Sequence, residues 1–328
     1  MTILKKKIEK KKEEKKRKSC THSYNFKSRD ETDELIQRLK RCKDNDNIFN
    51  YIDKEYKRYI IKNINYNSQD ILIYKEKNEN YIYNEKDCSR SLVKSSFIFF
   101  ESINSYELKK YKSSSSIFNI LLNITKINMQ KLYDENNFLN KGWSDKEKLK
   151  ELKSDKSKLI LGFLKKEEAI EYNHVQNLSE EETYDDKFCI TKNTNNNLVD
   201  IIKTNDKNQI EHFLKINPLV CFVHFRFTSD YYPYQKNIIC YLYEIQIKKE
   251  YIKIGIGTHL INILVQLCKN IHINKILCTV IKSNYKAVAF YKNKCSFQID
   301  ESSPDNFYSH TDQSHICEYE ILKKDIFS

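Results

Sequence analysis

The sequence predicts an α/β domain whose mixed, mostly antiparallel sheet is flanked by helices and interrupted by a polar, low-complexity insertion. Three observations predict it. From residue 217 onward, strand-like and helix-like segments follow in the order β-β-α-β-α-β-β, which builds a mixed sheet rather than a doubly wound one. "PLVCFVHFRF" and "IICYLYEIQI" read as two strands on either side of "TSDYYPYQKN", an antiparallel pair with a long loop. Just beyond, "KIGIGTHLINILVQLCKN" sets two of the chain's four glycines one residue apart ahead of apolar residues at helical spacing.

Composition limits how much of the chain belongs to that domain. With 328 residues, 31% of them charged, and a mean hydropathy of −0.71, one globular domain with polar additions is expected. Residues 1–18 hold ten Lys/Arg against three Glu, a net +7 of the chain's +12. The basicity is therefore mainly a tail, suited to a nuclear import signal or a nucleic-acid, nucleosome or ribosome contact, and equally to a solvated helix. The ten cysteines stand singly, with no CxxC and no paired His spacing, so reduced thiols and no metal site are expected. An apolar leader, a myristoylation glycine and an uninterrupted membrane-length segment are all missing from the pattern, so a soluble protein of the nucleus and cytoplasm with no membrane partner is expected.

The elements follow in order. Residues 1–20 form the basic tail, and 21–95 are a polar extension rich in Asn, Lys, Asp and Tyr with no sustained period. "SSFIFFESI" reads as a strand. The serines of "SSSSIFNILLNITKINMQKLYDE" suit an N-cap, and Ile117, Ile120, Leu121, Ile124, Ile127 and Leu132 give the following helix one buried stripe. "KLILGFL" is the next strand. Residues 165–216 are too polar to bury much surface and read as an insertion looped out of the domain. In the strands that follow, Cys221, Val223, Phe225 and Phe227 alternate with more polar neighbours. A helix from Gly257, the strand "NKILCTVI", a short helix in "NYKAVAFYKNK" and strands in "CSFQI" and "ICEYEIL" complete a domain over 96–322, with 323–328 as a tail.

The glycine pair narrows the chemistry. Amides at a helix start, with no side chains in front of them, let an anionic ligand come close. A dinucleotide fingerprint needs a further glycine where Leu260 stands, and a P-loop needs Lys where Thr258 follows Gly257, so both nucleotide readings fail. A turn that merely packs closely remains open at this point.

The neighbours of the glycines carry a resemblance. A strand ending in "YEIQI", the basic loop "KKEYIK", the Gly-x-Gly helix start, a further strand and "NYKAVAFYKNKCSFQI" resemble motifs A and B of the GNAT acetyltransferases. "ITKINMQKLYDE", "GWSDKEK", "FVHFRF", "YLYEIQI", "FQIDESSP" and "CEYEIL", in that order across 96–164 and 217–322, look like the NatD type of N-alpha-acetyltransferase. The resemblance implies a GNAT fold, acetyl-CoA as co-substrate, and the N-terminal serine of histones 4 and 2A as acceptor. It implies that Lys253, Ile254, Gly255, Ile256, Gly257 and Thr258 cradle the diphosphate. Backbone groups of Ile245, Gln246 and Ile247 then hold the pantetheine arm, and Asn284, which also suits a plain N-cap, adds a contact. Glu244 is implied as general base through water, with Tyr241 and Tyr243 lining the substrate tunnel. Strand alternation sets Tyr243 and Glu244 on opposite faces. Tyr291 is the secondary candidate, as acid for the leaving thiolate.

For the acceptor peptide the resemblance implies Tyr133, Trp143, Thr279, Ser302 and Tyr319, while Tyr133 and Tyr319 equally suit core aromatics. Three positions depart from the family pattern. Ile252 stands where Arg or Gln precedes the glycines, with Lys248, Lys249 and Lys253 around it. Thr228 takes the first acidic position of the loop that meets the acceptor arginine, leaving Asp230 as the nearest carboxylate. In the aromatic patch Trp143 is kept, and Phe138 or Lys141 stands near the other position. Two alternatives remain open: a GNAT enzyme with another acceptor, lysine or other N-termini, and a catalytically weak chromatin-binding module.

Overall fold

The computed structural model describes residues 48–61, 96–166, 198–307 and 317–327. Eight strands form one sheet: β1 (Arg58–Ile61), β2 (Ser96–Asn104), β3 (Lys158–Lys166), β4 (Leu219–Ser229), β5 (Ile238–Ile247), β6 (Lys275–Ile281), β7 (Gln298–Ile299) and β8 (Tyr319–Asp325). Their order across the sheet is β1-β2-β3-β4-β5-β6-β8-β7. β5 and β6 pair in parallel and every other pairing is antiparallel, which matches the mixed, mostly antiparallel expectation. The helices are α1 (Ser105–Lys109), α2 (Ser115–Glu135), α3 (Asp145–Leu152), α4 (Leu198–Lys203), α5 (Lys207–Ile216), α6 (Ile256–Asn270) and α7 (Tyr285–Ala289).

Helices cover both faces. On one, α6 buries Ile256, Leu260, Ile263, Leu264 and Leu267 against Val223, Phe225, Cys240 and Leu242. On the other, α1, α2, α4 and α5 close over Leu159, Leu161, Phe163 and Phe222. β4 lies between the two layers, so Leu219–Phe225 is buried on both sides and the expected half-polar alternation is replaced by continuous burial.

Several expectations change. The insertion is not looped out over its whole length: β3 runs on to Lys166, and 198–216 fold as α4 and α5, burying Leu198, Ile201, Ile202, Ile210 and Phe213 in the second core. Phe213 meets Phe163 edge-on at 5.3 Å. The part of the insertion from 167 to 197 lies outside the described residues, as do the tail 1–20 and most of the 21–95 extension. Within that extension, Ile48–Tyr51 and Lys54–Lys57 form 3-10 turns and β1 adds a strand to the sheet. The 323–328 tail is partly strand, since β8 reaches Asp325 and Ile326 is buried.

Details at the helix ends also differ. Ser114 occupies the N-cap of α2 without capping it, because its hydroxyl donates backward to the carbonyls of Leu108 and Tyr111. Ile127 points to solvent, its place on the buried face taken by Thr125, which bonds the Leu121 carbonyl at 2.8 Å. The strand expected in "CSFQI" is two residues long. Among the described cysteines, Cys221, Cys240, Cys268, Cys278 and Cys295 are buried free thiols, as expected.

Candidate active site

The site forms where β5 parts from β6. The two strands pair only over Cys240–Leu242 and Ile276–Cys278, although β5 continues to Ile247 and β6 to Ile281. Among the described residues, the edge of β5 beyond Leu242 has no neighbouring strand on that side, so its backbone groups there are open to an extended ligand. The Ile247 carbonyl is the exception, since Asn128 on α2 donates to it at 3.1 Å.

A bulge shapes this edge. His224 pairs with Glu244 and Phe225 with Leu242, which leaves Tyr243 as the extra residue. Cys240, Leu242, Ile245 and Ile247 face α6, whereas Tyr243 meets Arg226 and His224 and Glu244 meets α3. Tyr243 and Glu244 therefore share one face. The expectation of opposite faces fails because strict alternation does not survive an added residue.

Glu244 sits in a buried polar chain. Lys148 of α3 pairs with one carboxylate oxygen at 2.6 Å, and both side chains are nearly inaccessible, 8% and 5% exposed. Gln246 donates to the other oxygen at 2.6 Å and in turn accepts from Asn128 at 2.9 Å. Lys148 also donates to Glu151 at 2.9 Å. Burial opposes the Lys148 charge, but the Glu244, Tyr133 and Glu151 groups outweigh it and raise the ammonium pKa. Burial raises the Glu151 carboxyl, with Lys148 pulling it back. Next to this chain His224 stacks on Tyr243 at 4.9 Å, and burial, then Arg226 and Lys148, push the imidazole well below its usual pKa. Its Nε2 bonds Ser157 Oγ at 2.8 Å, and its buried Nδ1 has no hydrogen-bond partner among the described residues.

An aromatic cup stands over the chain. Tyr133 lies 4.7 Å from Phe138 and 5.5 Å from Trp143, and Phe138 meets Tyr319 at 5.9 Å. Phe138 thus fills the second aromatic position, and Lys141 instead pairs with Glu147 at 3.3 Å. Tyr133, Phe138, Lys141 and Trp143 surround a cleft of about 130 Å³ with Lys148 and Glu151 at its wall. Burial raises the phenols of Tyr133 and Tyr241, and Tyr241 shares a 2.5 Å hydrogen bond with Thr279. Tyr291 follows α7 in a π-type stretch; burial, then Cys278 and Glu244, hold its phenol well above the usual pKa, so it keeps its proton at neutral pH.

Two expected acceptor contacts are otherwise engaged. Asp230 is buried, accepting from the Tyr231 amide at 2.8 Å through one oxygen and pairing with Lys275 at 2.7 Å through the other. It is a structural ion pair rather than an open carboxylate for an acceptor arginine. Ser302 donates its amide and hydroxyl to Asp300, at 2.9 and 2.5 Å, in a turn beside that pair.

At the glycine turn, the helix begins one residue earlier than expected, with Gly255 as N-cap in the left-handed region at φ 88°. The amides of Ile256, Gly257 and Thr258 open α6 and have no partner one turn back, while the side chains of Ile254 and Ile256 are buried in the core. From Ile254 to Gly257 only backbone groups can meet a ligand, and their donors suit an anionic one, with exposed Lys253 and half-buried Thr258 at the two ends of the turn. A Cβ on Gly257 would stand 3.1 Å from the Phe290 ring. Asn284 caps α7 by accepting from the Ala287 amide at 3.2 Å. Sequence reasoning missed Lys148, Glu151, His224 and Arg226. Lys148 left one trace, its place a turn before buried Leu152 on α3.

Comparison with known proteins comes to rest on the same region. Residues 166–297 match the model of the acetyltransferase (GNAT) family. Among solved structures, Arabidopsis thaliana Naa50 in complex with a bisubstrate analogue is 23% identical over 32% of this chain, TM-score 0.25, and the chain spans 65% of its length. Arabidopsis thaliana NAA60 with acetyl-CoA is 13% identical over 70% of this chain and 99% of its own, TM-score 0.37. Tetrahymena GCN5 is 12% identical over 69% and 95%, TM-score 0.36. The mixed sheet with flanking helices is a GNAT-type fold; the narrower NatD likeness rests on the sequence strings alone.

Proposed function

Since the chain carries a GNAT acetyltransferase domain, we propose that it transfers acetyl from acetyl-CoA to the terminal amine of a polypeptide, as an N-alpha-acetyltransferase of NatD type acting on histones 4 and 2A in the nucleus and cytoplasm. The observation that carries the reading is the placement of Glu244. A buried carboxylate lies on the edge of β5 where the sheet opens, on the same face as Tyr243 and beneath the aromatic cup.

Acetyl-CoA supplies a thioester carbonyl open to attack by an amine. An amine attacks only when neutral, and an α-amine, with a pKa near ~8 against ~10.4 for lysine, is far more often neutral at pH 7. Glu244 takes up the proton that the amine releases, directly or through water. Lys148 and Gln246 fix its two oxygens, so it enters the reaction oriented. Tyr291 is the secondary candidate to give a proton to the departing sulfur, although burial makes its phenol a weaker acid. The amides of Ile256, Gly257 and Thr258 orient the diphosphate, and Tyr133, Phe138 and Trp143 exclude water from the acceptor.

One observation favours a second acceptor. With Asp230 committed to Lys275, the carboxylate expected to meet an acceptor arginine is occupied, which favours N-termini that lack the histone sequence. The test is transfer of labelled acetyl to a histone 4 tail peptide, an unrelated N-terminal peptide, and N-terminally blocked forms of both. Label in the free histone peptide alone is expected. Equal labelling of the unrelated peptide selects the second acceptor, and labelling of blocked peptides moves the chemistry to lysine and sinks the α-amine reading.

A further inference from the structure

The turn that opens α6 is held from behind by a segment remote in sequence. Lys253 lies in the left-handed region at φ 63° and Gly255 at φ 88°, so two of three consecutive residues occupy a conformation that non-glycine residues avoid. Such a turn persists only where its surroundings over-determine it. Among the described residues the restraint comes from β1. The Tyr59 hydroxyl donates to the Ile254 carbonyl, the peptide between the two left-handed residues. It stands 2.5 Å from where a Cβ on Gly255 would be, so at this glycine the close approach is by a side chain of the chain itself.

Tyr59 does not act alone. His259 Nε2 donates to the Tyr56 carbonyl at 3.0 Å, Gln266 to the Asp53 carboxylate at 2.8 Å, and Asn270 to the Tyr51 carbonyl at 2.6 Å. His259 also packs between the rings of Tyr59 and Phe100, 5.1 and 5.3 Å away. Ile52 and Ile61 anchor the two ends of the segment in the core under α6. The contacts therefore follow α6 from its first turn to its last. None of these N-terminal residues lies in the stretch that matches the family model.

We propose that Tyr51–Ile61 is a brace that sets the conformation of the cofactor turn, with Tyr59 as a positioning residue for acetyl-CoA. The proposal rests on the acetyl-CoA reading for its consequence, not for its geometry. A brace fixes the turn before ligand arrives, so the amides of Ile256, Gly257 and Thr258 need not be ordered on binding.

The test compares the full-length protein with Tyr59→Phe, which keeps the ring and removes the hydroxyl, and with Gln266→Ala as a second lesion of the brace. Amide hydrogen exchange is read without ligand, and acetyl-CoA affinity and steady-state constants are read separately. Tyr59→Phe is expected to speed exchange across residues 253–258, with β4 and β8 unchanged. Acetyl-CoA affinity should weaken about five- to tenfold, the size of one lost hydrogen bond, with kcat and the acceptor KM within about twofold. Gln266→Ala should move the same readouts less.

Unchanged exchange at 253–258 in both variants would overturn the brace. Faster exchange with unchanged acetyl-CoA affinity would overturn its role in binding. Wild-type protein that binds no acetyl-CoA would sink the cofactor reading while the exchange comparison still decides whether the segment holds the turn.

Discussion

At the scale of single residues, Glu244 and Lys148 form the most consequential pair. Removing one partner of a buried ion pair strands the other charge and costs about 3–5 kcal/mol, whereas replacing both can be nearly neutral. Lys148→Met is thus expected to lower stability strongly, and adding Glu244→Gln to recover most of it, as read by denaturant unfolding of both singles and the double. Additive losses would show that the two charges do not depend on each other. Glu244→Gln alone should reduce acetyl transfer roughly 10²–10⁴-fold. Glu101 offers a pH test: burial, then the Asp200 carboxylate, lift it to about 7 against a pull from Lys57. Its folded pKa exceeds the ordinary 4.5, so the folded state binds the proton more tightly and stability falls as pH rises between those values. Glu101→Gln should therefore raise the thermal midpoint at pH 8 and leave it nearly unchanged at pH 5.

At the scale of elements, the α4–α5 hairpin separates core from insertion. Phe213→Ala should cost about 3 kcal/mol, measured by urea denaturation; a neutral result would return residues 198–216 to the solvated surface. The hairpin was hard to read in the sequence because Leu198, Ile201, Ile202, Ile210 and Phe213 are diluted by Asn, Lys and Asp, and polar composition masked the apolar stripe. Strands and helices with dense apolar periods, such as β5 and α6, were legible, as was the glycine pair. β1 was not, since four residues carry too little period to separate from their surroundings. The bulge at Tyr243 was also invisible, because an extra residue in a ladder is defined by its partner strand. The Lys148–Glu244 contact spans 96 positions, a juxtaposition that no local pattern encodes.

At the scale of the whole molecule, β5 and β6 part in the middle of the sheet, and ligand binding there should register as global stability. Acetyl-CoA at a hundredfold its dissociation constant should add about 2.7 kcal/mol to unfolding, seen as a concentration-dependent rise in the melting temperature; a flat response would count against binding at the folded state. The bulge has a consequence of another kind. Around it Cys240, Leu242, Ile245 and Ile247 face α6, while Tyr241, Tyr243, Glu244 and Gln246 lie on the opposite side, Glu244 against α3 and Gln246 against α2, so excising Tyr243 leaves an unbroken pleat with every other side chain on its present side. Loss or gain of one codon here would remove or install the tyrosine while Glu244 keeps its station, which makes this position a place where the lining of the site can be rewritten without re-threading the strand.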